Sequence, residues 1–280
     1  MERRNTMSLV YLTALTNERY LPGVMALARS LHEVKSAYDL AIMIPVEKAD
    51  SLEAAIREYG ILDIPGTYLL PKENVRVPEM DVIVEEKYSY WSATFFKLQA
   101  ASCVEFEKII LLDSDMLVAR NIDHLFGCPS FTATVGGKCV HDDWHSLNSG
   151  MLVLEPSLAL YEKLISLVIP AIRYKESKGL QAGDQDVFQM AFPEWRDHPE
   201  LCVSEKYNIC WSWIGNLCRK EKCTSKDMHV IHFVGKDKPW DYGKYHHLRI
   251  LVSNIVRRKW DKLFYKVYIW HKYRSLCNRA

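Results

Sequence analysis

The 280 residues hold 36 Lys and Arg against 35 Asp and Glu, and 49% of them are hydrophobic, a composition that supports a sizeable core and argues against disorder. From Leu248 onward there are nine Lys and Arg and one acid, Asp261, so an acidic body carries a basic tail, which speaks against a nucleic-acid-binding body. The eight cysteines include no Cys-x-x-Cys pair, leaving a structural zinc site little support.

Leu9–Leu15 is a predicted strand and Pro22–His32 an amphipathic helix with Leu27 and Leu31 on one face. Leu40–Pro45 is expected to be a buried strand, Ala49–Tyr59 a helix stopped by Gly60, and Thr67–Leu70 a third strand. Ser92–Cys103 is predicted helical, and Lys108–Leu112 is a hydrophobic strand running into Asp113-Ser114-Asp115. Strands are expected over Phe131–Val135 and Gly150–Leu154, helices over Ser157–Tyr174 and Gly183–Phe192, and a last strand over Met228–Phe233. This alternation implies an α/β fold with a mostly parallel sheet. No linker marks a boundary, so residues 1–247 are expected to form one domain and 248–280 an appendage.

Three constellations carry chemistry. In extended chain Asp113 and Asp115 point the same way, at the carboxyl end of a strand where open α/β sheets bind ligands. They suit a Mg²⁺ or Mn²⁺ ion shared with diphosphate oxygens; a solvated acidic turn is the plain alternative. His232 adds a candidate third ligand, and imidazole favours Mn²⁺, although a buried histidine bonded to backbone fits the same pattern. Gly235 would let the chain approach a phosphate, and Lys238 would supply a point charge. Asn148-Ser149-Gly150 and Gly183-Asp184-Gln185-Asp186 offer amide and carboxylate groups for sugar hydroxyls, with Asp184 as a simple helix cap the competing reading.

In this order, several segments resemble glycosyltransferase family 8, the glycogenin and galactinol synthase group. They are Leu15-Thr16-Asn17-Glu18-Arg19-Tyr20, Phe96-Lys97-Leu98, Leu112-Asp113-Ser114-Asp115, Asn121-Ile122-Asp123-His124-Leu125-Phe126, Asn148-Ser149-Gly150, Gly183-Asp184-Gln185, Tyr207-Asn208, and His232-Phe233 through Lys238-Pro239-Trp240. The resemblance implies a GT-A fold and a retaining transfer of glucose or galactose from a UDP-sugar. It implies Mn²⁺ on Asp113, Asp115 and His232, with Mg²⁺ the weaker candidate. It also implies Tyr20 on uracil, Thr16 and Asn17 nearby, Ser114 at the ribose and Lys97 close to the donor. Asn148, Ser149, Asp184 and Gln185 would line the sugar pocket, and Gly235 and Lys238 would hold the diphosphate. Asp184 and Gln185 become candidates for nucleophile or oxocarbenium stabiliser, beside a front-face route that needs neither as nucleophile. One departure concerns the acceptor: glycogenin glucosylates its own tyrosine, whereas the corresponding place here falls near Gly215. A separate glycan, glycoprotein or glycolipid acceptor is therefore expected. A galactinol-synthase-type small acceptor, or a silent UDP-sugar-binding protein, are the other readings.

In the tail, Trp260, Leu263, Phe264, Val267 and Trp270 fall on one helical face, opposite Arg258 and Lys262. Such a helix suits an anionic membrane surface; a helix packed on the body is the alternative. With no membrane-spanning stretch and no signal-peptide pattern, a cytoplasmic protein with reduced thiols is expected, peripheral on a membrane if the tail binds one, and open to homodimerisation. A disulfide within the crowded set Cys202, Cys210, Cys218 and Cys223 stays conceivable.

Overall fold

The apolar runs and turn signals condense into a sheet covered on both faces. The computed structural model describes residues 8–75, 94–235, 238–242, 248–249, 252–253, 255–256 and 260–278, with the side chains of 260–267 outside that description. Strands β1 (Ser8–Ala14), β2 (Leu40–Pro45) and β3 (Thr67–Lys72) alternate with helices α1 (Leu21–Glu33) and α2 (Ala49–Tyr59). β4 (Phe106–Leu112) then pairs parallel with β1, and β5 (Met116–Val118) follows the Asp-Ser-Asp turn. A hairpin joins β6 (Thr132–Val135) to β7 (Leu147–Leu154), and β8 (Cys202–Val203) lies on the far edge. The main sheet runs β3-β2-β1-β4-β7-β6-β8, parallel from β3 to β4 and antiparallel on both sides of β7. A mixed, mostly parallel α/β sheet thus stands where a mostly parallel one was expected.

Two sequence expectations change in detail. Instead of one helix over Ser157–Tyr174 there are two, α3 (Leu158–Ser166) and α4 (Val168–Glu176). Pro170 has no N–H to donate back to the preceding turn, so the ladder restarts and the proline sits in the first turn of α4, where it is tolerated. The described part of Ser92–Cys103 is mainly 3₁₀, Phe96–Ser102, with six of its seven residues buried; packing, not propensity, sets its winding. Ser92 lies outside the described residues.

A smaller sheet, unforeseen apart from its central strand, sits beside the first. β10 (Val230–His232) pairs antiparallel with β5 and parallel with β9 (Ile209–Cys210). Helices α5 (Asp184–Ala191) and α6 (Ile214–Glu221) complete the body, and α7 (Trp260–Cys277) returns to pack on α1. Ile269, Trp270, Tyr273, Leu276 and Cys277 join Phe233 and Ile209 in one apolar cluster. Arg29 donates to the carbonyls of Leu276 (3.1 Å) and Asn278 (2.6 Å), and Tyr59 donates to that of Cys277 (2.8 Å), satisfying carbonyls that a helix end leaves without partners. Residues 269–278 of the expected appendage thus pack on the body. Trp270, expected on a membrane-facing stripe, is only 5% exposed; the side chains of Trp260, Leu263, Phe264 and Val267, and Arg258 altogether, fall outside the described set. Among the described residues no helix is long and apolar enough to cross a membrane.

Asp123 clamps the edge of this core. Its carboxylate accepts from Tyr11 Oη (2.6 Å), Ser36 Oγ (3.0 Å), Ala37 N (2.9 Å) and Asn121 Nδ2 (3.0 Å), tying β1 to the α1–β2 turn.

Candidate functional site

Strand geometry assembles the acidic centre. β4 stops at Leu112, and the Asp113 amide donates to Gly150 O of β7 (2.9 Å). β5 pairs with β10 so that Met116 faces His232, and Phe233 N donates to Asp115 O (3.1 Å). A histidine distant in sequence is thereby delivered beside Asp115. His232 Nε2 lies 3.0 Å from Asp115 Oδ1 and 3.5 Å from Asp113 Oδ2. Among the described residues, Asp113, Asp115 and His232 form the one acid/His/Cys group that could hold a metal, each offering a ligand atom within 4.8 Å of the others.

Hydrogen-bond directions around the imidazole test that fit. Gly150 N, necessarily a donor, points to Asn148 Oδ1 (2.9 Å), and Asn208 Nδ2 donates to the same oxygen (2.7 Å). The other end of the Asn208 amide is then its oxygen, which faces His232 Nδ1 at 3.0 Å. His232 must carry a proton on Nδ1, so Nε2, which faces the two carboxylates, is the ring nitrogen a metal would take in place of a proton. That is the tautomer and the second partner a metal-ligating histidine needs. Gly150 permits the arrangement: a Cβ there would stand 2.8 Å from the imidazole.

Two lysines balance the buried carboxylates. Lys97, 8% exposed, pairs with Asp113 (2.6 Å) and Asp184 (2.7 Å) and donates to Ser149 O (3.1 Å). Burial disfavours its charge, but the two carboxylates outweigh burial and hold its pKa above the ordinary value. Burial likewise pushes Asp113 up, against Lys97 and His232. Asp115 is pushed up by burial too, yet His232 and Lys238 overcome it and keep its carboxyl well below the usual range. Lys238 lies on Asp115 Oδ2 and donates to Phe233 O (3.0 Å), with its ammonium 5.6 Å from the Tyr20 ring centre. Three carboxylates against two ammoniums leave a centre suited to added positive charge.

The sugar-pocket candidates converge on the same place. The β6 register shifts between Ala133 and Thr134, so β7 bulges at Ser149–Met151, as bulges do where side chains are re-aimed. Ser149 Oγ donates to Asp184 Oδ2 (2.8 Å), and Ser149 N approaches Gln185 Oε1 at 3.4 Å. Asp184 is not the helix cap: Gly183 holds that position, and its N–H is taken by Asp186 (2.9 Å). Thr16 and Asn17 follow β1, Tyr20 meets Trp240 edge-on at 5.9 Å, and Ser114 sits between the acids. Gly235 has φ +123°, a backbone open to glycine; Lys236 and Asp237 lie outside the described residues. Asn208 was legible only as half of the Tyr-Asn pair, with nothing to reveal its link between His232 and Asn148.

Residues 11–244 match the pattern of Glycosyl transferase family 8. The chain belongs to glycosyltransferase family 8. Among family relatives it is 28% identical over 269 residues to the putative UDP-glucuronate:xylan α-glucuronosyltransferase 5 of Arabidopsis thaliana, covering 92% of this chain and 42% of that protein. It is 28% identical to Glycogenin-1 of Caenorhabditis elegans, covering 84% of this chain and 51% of that one. This family 8 chain therefore spans about half the length of these relatives or less. Its fold resembles the glycosyltransferase GlyE of Streptococcus pneumoniae, with TM-score 0.57, 16% identity, 96% of this chain and 63% of that one covered.

Proposed function

We propose that this family 8 chain transfers a neutral hexose, glucose or galactose, from a UDP-sugar to a saccharide, glycoprotein or glycolipid acceptor, with retention of configuration. The observation that carries the reading is Lys97, whose ammonium joins Asp113 of the candidate metal group to Asp184 of the candidate sugar pocket. Asp113, Asp115 and His232 would hold Mn²⁺, which when bound supplies a Lewis acid for the charge developing on a departing diphosphate. Tyr20, with Thr16 and Asn17, would take the uracil, Ser114 the ribose, and Gly235 and Lys238 the phosphates. Asn148, Ser149 and Gln185 would orient sugar hydroxyls. Asp184, paired with Lys97 and aimed by Ser149, suits stabilisation of positive charge at the anomeric carbon. The same acids argue for a neutral sugar, since a uronate carboxylate would meet like charge. A reducing, cytoplasmic compartment suits the eight free cysteines.

UDP release from UDP-glucose, UDP-galactose and UDP-glucuronate, with Mn²⁺ or EDTA, tests this. Release from a neutral donor that EDTA abolishes is expected; equal release with EDTA would refute the metal assignment, and preference for UDP-glucuronate the donor assignment.

A further inference from the structure

The hairpin loop between β6 and β7, residues 136–146, carries groups for which the donor has no use. Gly136 abuts the pocket, since a Cβ there would lie 2.8 Å from Asn148 Nδ2. Its neighbour Gly137 lies under two indoles: a Cβ would meet Trp144 at 2.7 Å and Trp213 at 2.8 Å. Trp144 is 45% exposed. His141 stacks on it with centroids 4.2 Å apart and planes at 28°, and Trp213 meets it edge-on at 6.2 Å. An aromatic ledge thus begins one residue from the sugar pocket.

The ledge is fixed in place. Val140 N and His141 N donate to Gly137 O, and Trp144 N donates to His141 O. From α6, Lys220 donates to Lys138 O (2.8 Å) and pairs with Asp142. A single exposed hydrophobe needs no explanation, but an indole and an imidazole on a pinned turn beside a pocket, backed by the indole of Trp213 from another segment, form a surface already ordered for a ligand. The C–H face of a pyranose packs on such a ring, while its hydroxyls need polar neighbours; Asp143, His145 and Ser212 stand exposed around it. Rigid aromatic side chains offer this contact at low entropic cost.

We infer that Trp144, stacked with His141 and backed by Trp213, is the ledge on which a saccharide acceptor seats a pyranose ring. This rests on the glycosyltransferase reading above and places the acceptor on the β6–β7 side of the donor pocket. The full chain with Mn²⁺ and UDP is titrated with maltotetraose, cellotetraose, xylotetraose and lactose by saturation-transfer NMR, with UDP–Mn²⁺ affinity measured by calorimetry on the same samples. At least one saccharide should bind saturably, Trp144→Ala should weaken it tenfold or more, and Trp144→Phe should stay within threefold. UDP–Mn²⁺ affinity should remain within twofold in both variants. Saccharide binding that Trp144→Ala leaves unchanged, or UDP binding with no bound saccharide, overturns the ledge alone. Failure of the wild type to bind UDP with Mn²⁺ overturns the parent reading and the ledge with it.

Discussion

Replacing Asn208 separates the two arms of the site. Asn208 is 7% exposed, and its amide bonds to Asn148 (2.7 Å) and to His232 (3.0 Å). Asn208→Ala strands the His232 Nδ1 proton and frees the ring to turn, and loss of such an outer partner costs about 10–100-fold in metal affinity, or about 1.4–2.8 kcal/mol. Asn208→Asp behaves differently. Its carboxylate still accepts from Nδ1, so Mn²⁺ affinity should stay within about threefold of wild type or tighten. Its second oxygen, however, faces Asn148 Oδ1, which Gly150 N holds in place, and the two acceptors repel. The aspartate variant should therefore keep the metal and lose donor turnover, whereas the alanine variant loses the metal first. Mn²⁺ affinity by electron paramagnetic resonance, UDP release and a thermal melt on each variant separate these cases. Wild-type Mn²⁺ affinity in a folded Asn208→Ala protein would refute the tautomer argument.

Gly150→Ala would push a methyl to 2.8 Å from the His232 ring; Mn²⁺ affinity should fall at least tenfold, with a strain cost of about 1–3 kcal/mol seen in denaturant melts, and unchanged affinity would show that the ring can yield. Asp184→Asn should abolish transfer while UDP–Mn²⁺ affinity by calorimetry stays within a few-fold; near-normal turnover would remove Asp184 from the mechanism. Burial raises Asp123, but the bonds from Tyr11, Ala37, Asn121 and Ser36 outweigh it and depress its pKa, so its stabilisation is complete above about pH 4 and lost as pH falls through the folded value. Between pH 6 and pH 3 wild type should therefore lose more stability than Asp123→Asn in denaturant melts, and parallel losses would contradict this. Trp270→Ala opens a large cavity worth about 3–5 kcal/mol and should lower the melting temperature by about 6–20 °C; a shift of a degree or two would mean that the ring is dispensable to the core.

Where the apolar pattern was strong and local, the fold was legible: Leu40–Pro45 and Ala49–Tyr59 are read from the sequence with the bounds they adopt. The candidate ligands Asp113 and Asp115 were visible for the same reason, lying two residues apart at a strand end. His232 required a longer inference, because its delivery depends on β5, a three-residue strand with too few residues to show a period. The charge balance of Lys97 could not be read at all: three residues from separate elements meet there, and only packing brings Asp113, Asp184 and Ser149 to one ammonium. The tail was ambiguous because basic and aromatic residues at helical spacing describe both a membrane helix and a docked one. Trp270 and Tyr273 take the docked form because Phe233 and Trp211 need covering.

That docking has a consequence for how the chain is made. Tyr273 stacks on Phe233 at 4.0 Å, yet it is translated forty residues later. At roughly 5–20 residues per second, the nascent chain spends about 2–8 s with Phe233 and Trp211 synthesised and their cover still missing. During that interval the strand carrying His232 has an apolar flank that only later residues can shield. A ribosome that stalls within this stretch would release a chain with its acidic centre encoded and the apolar cluster around Phe233 open, a form for chaperones to hold or proteases to clear.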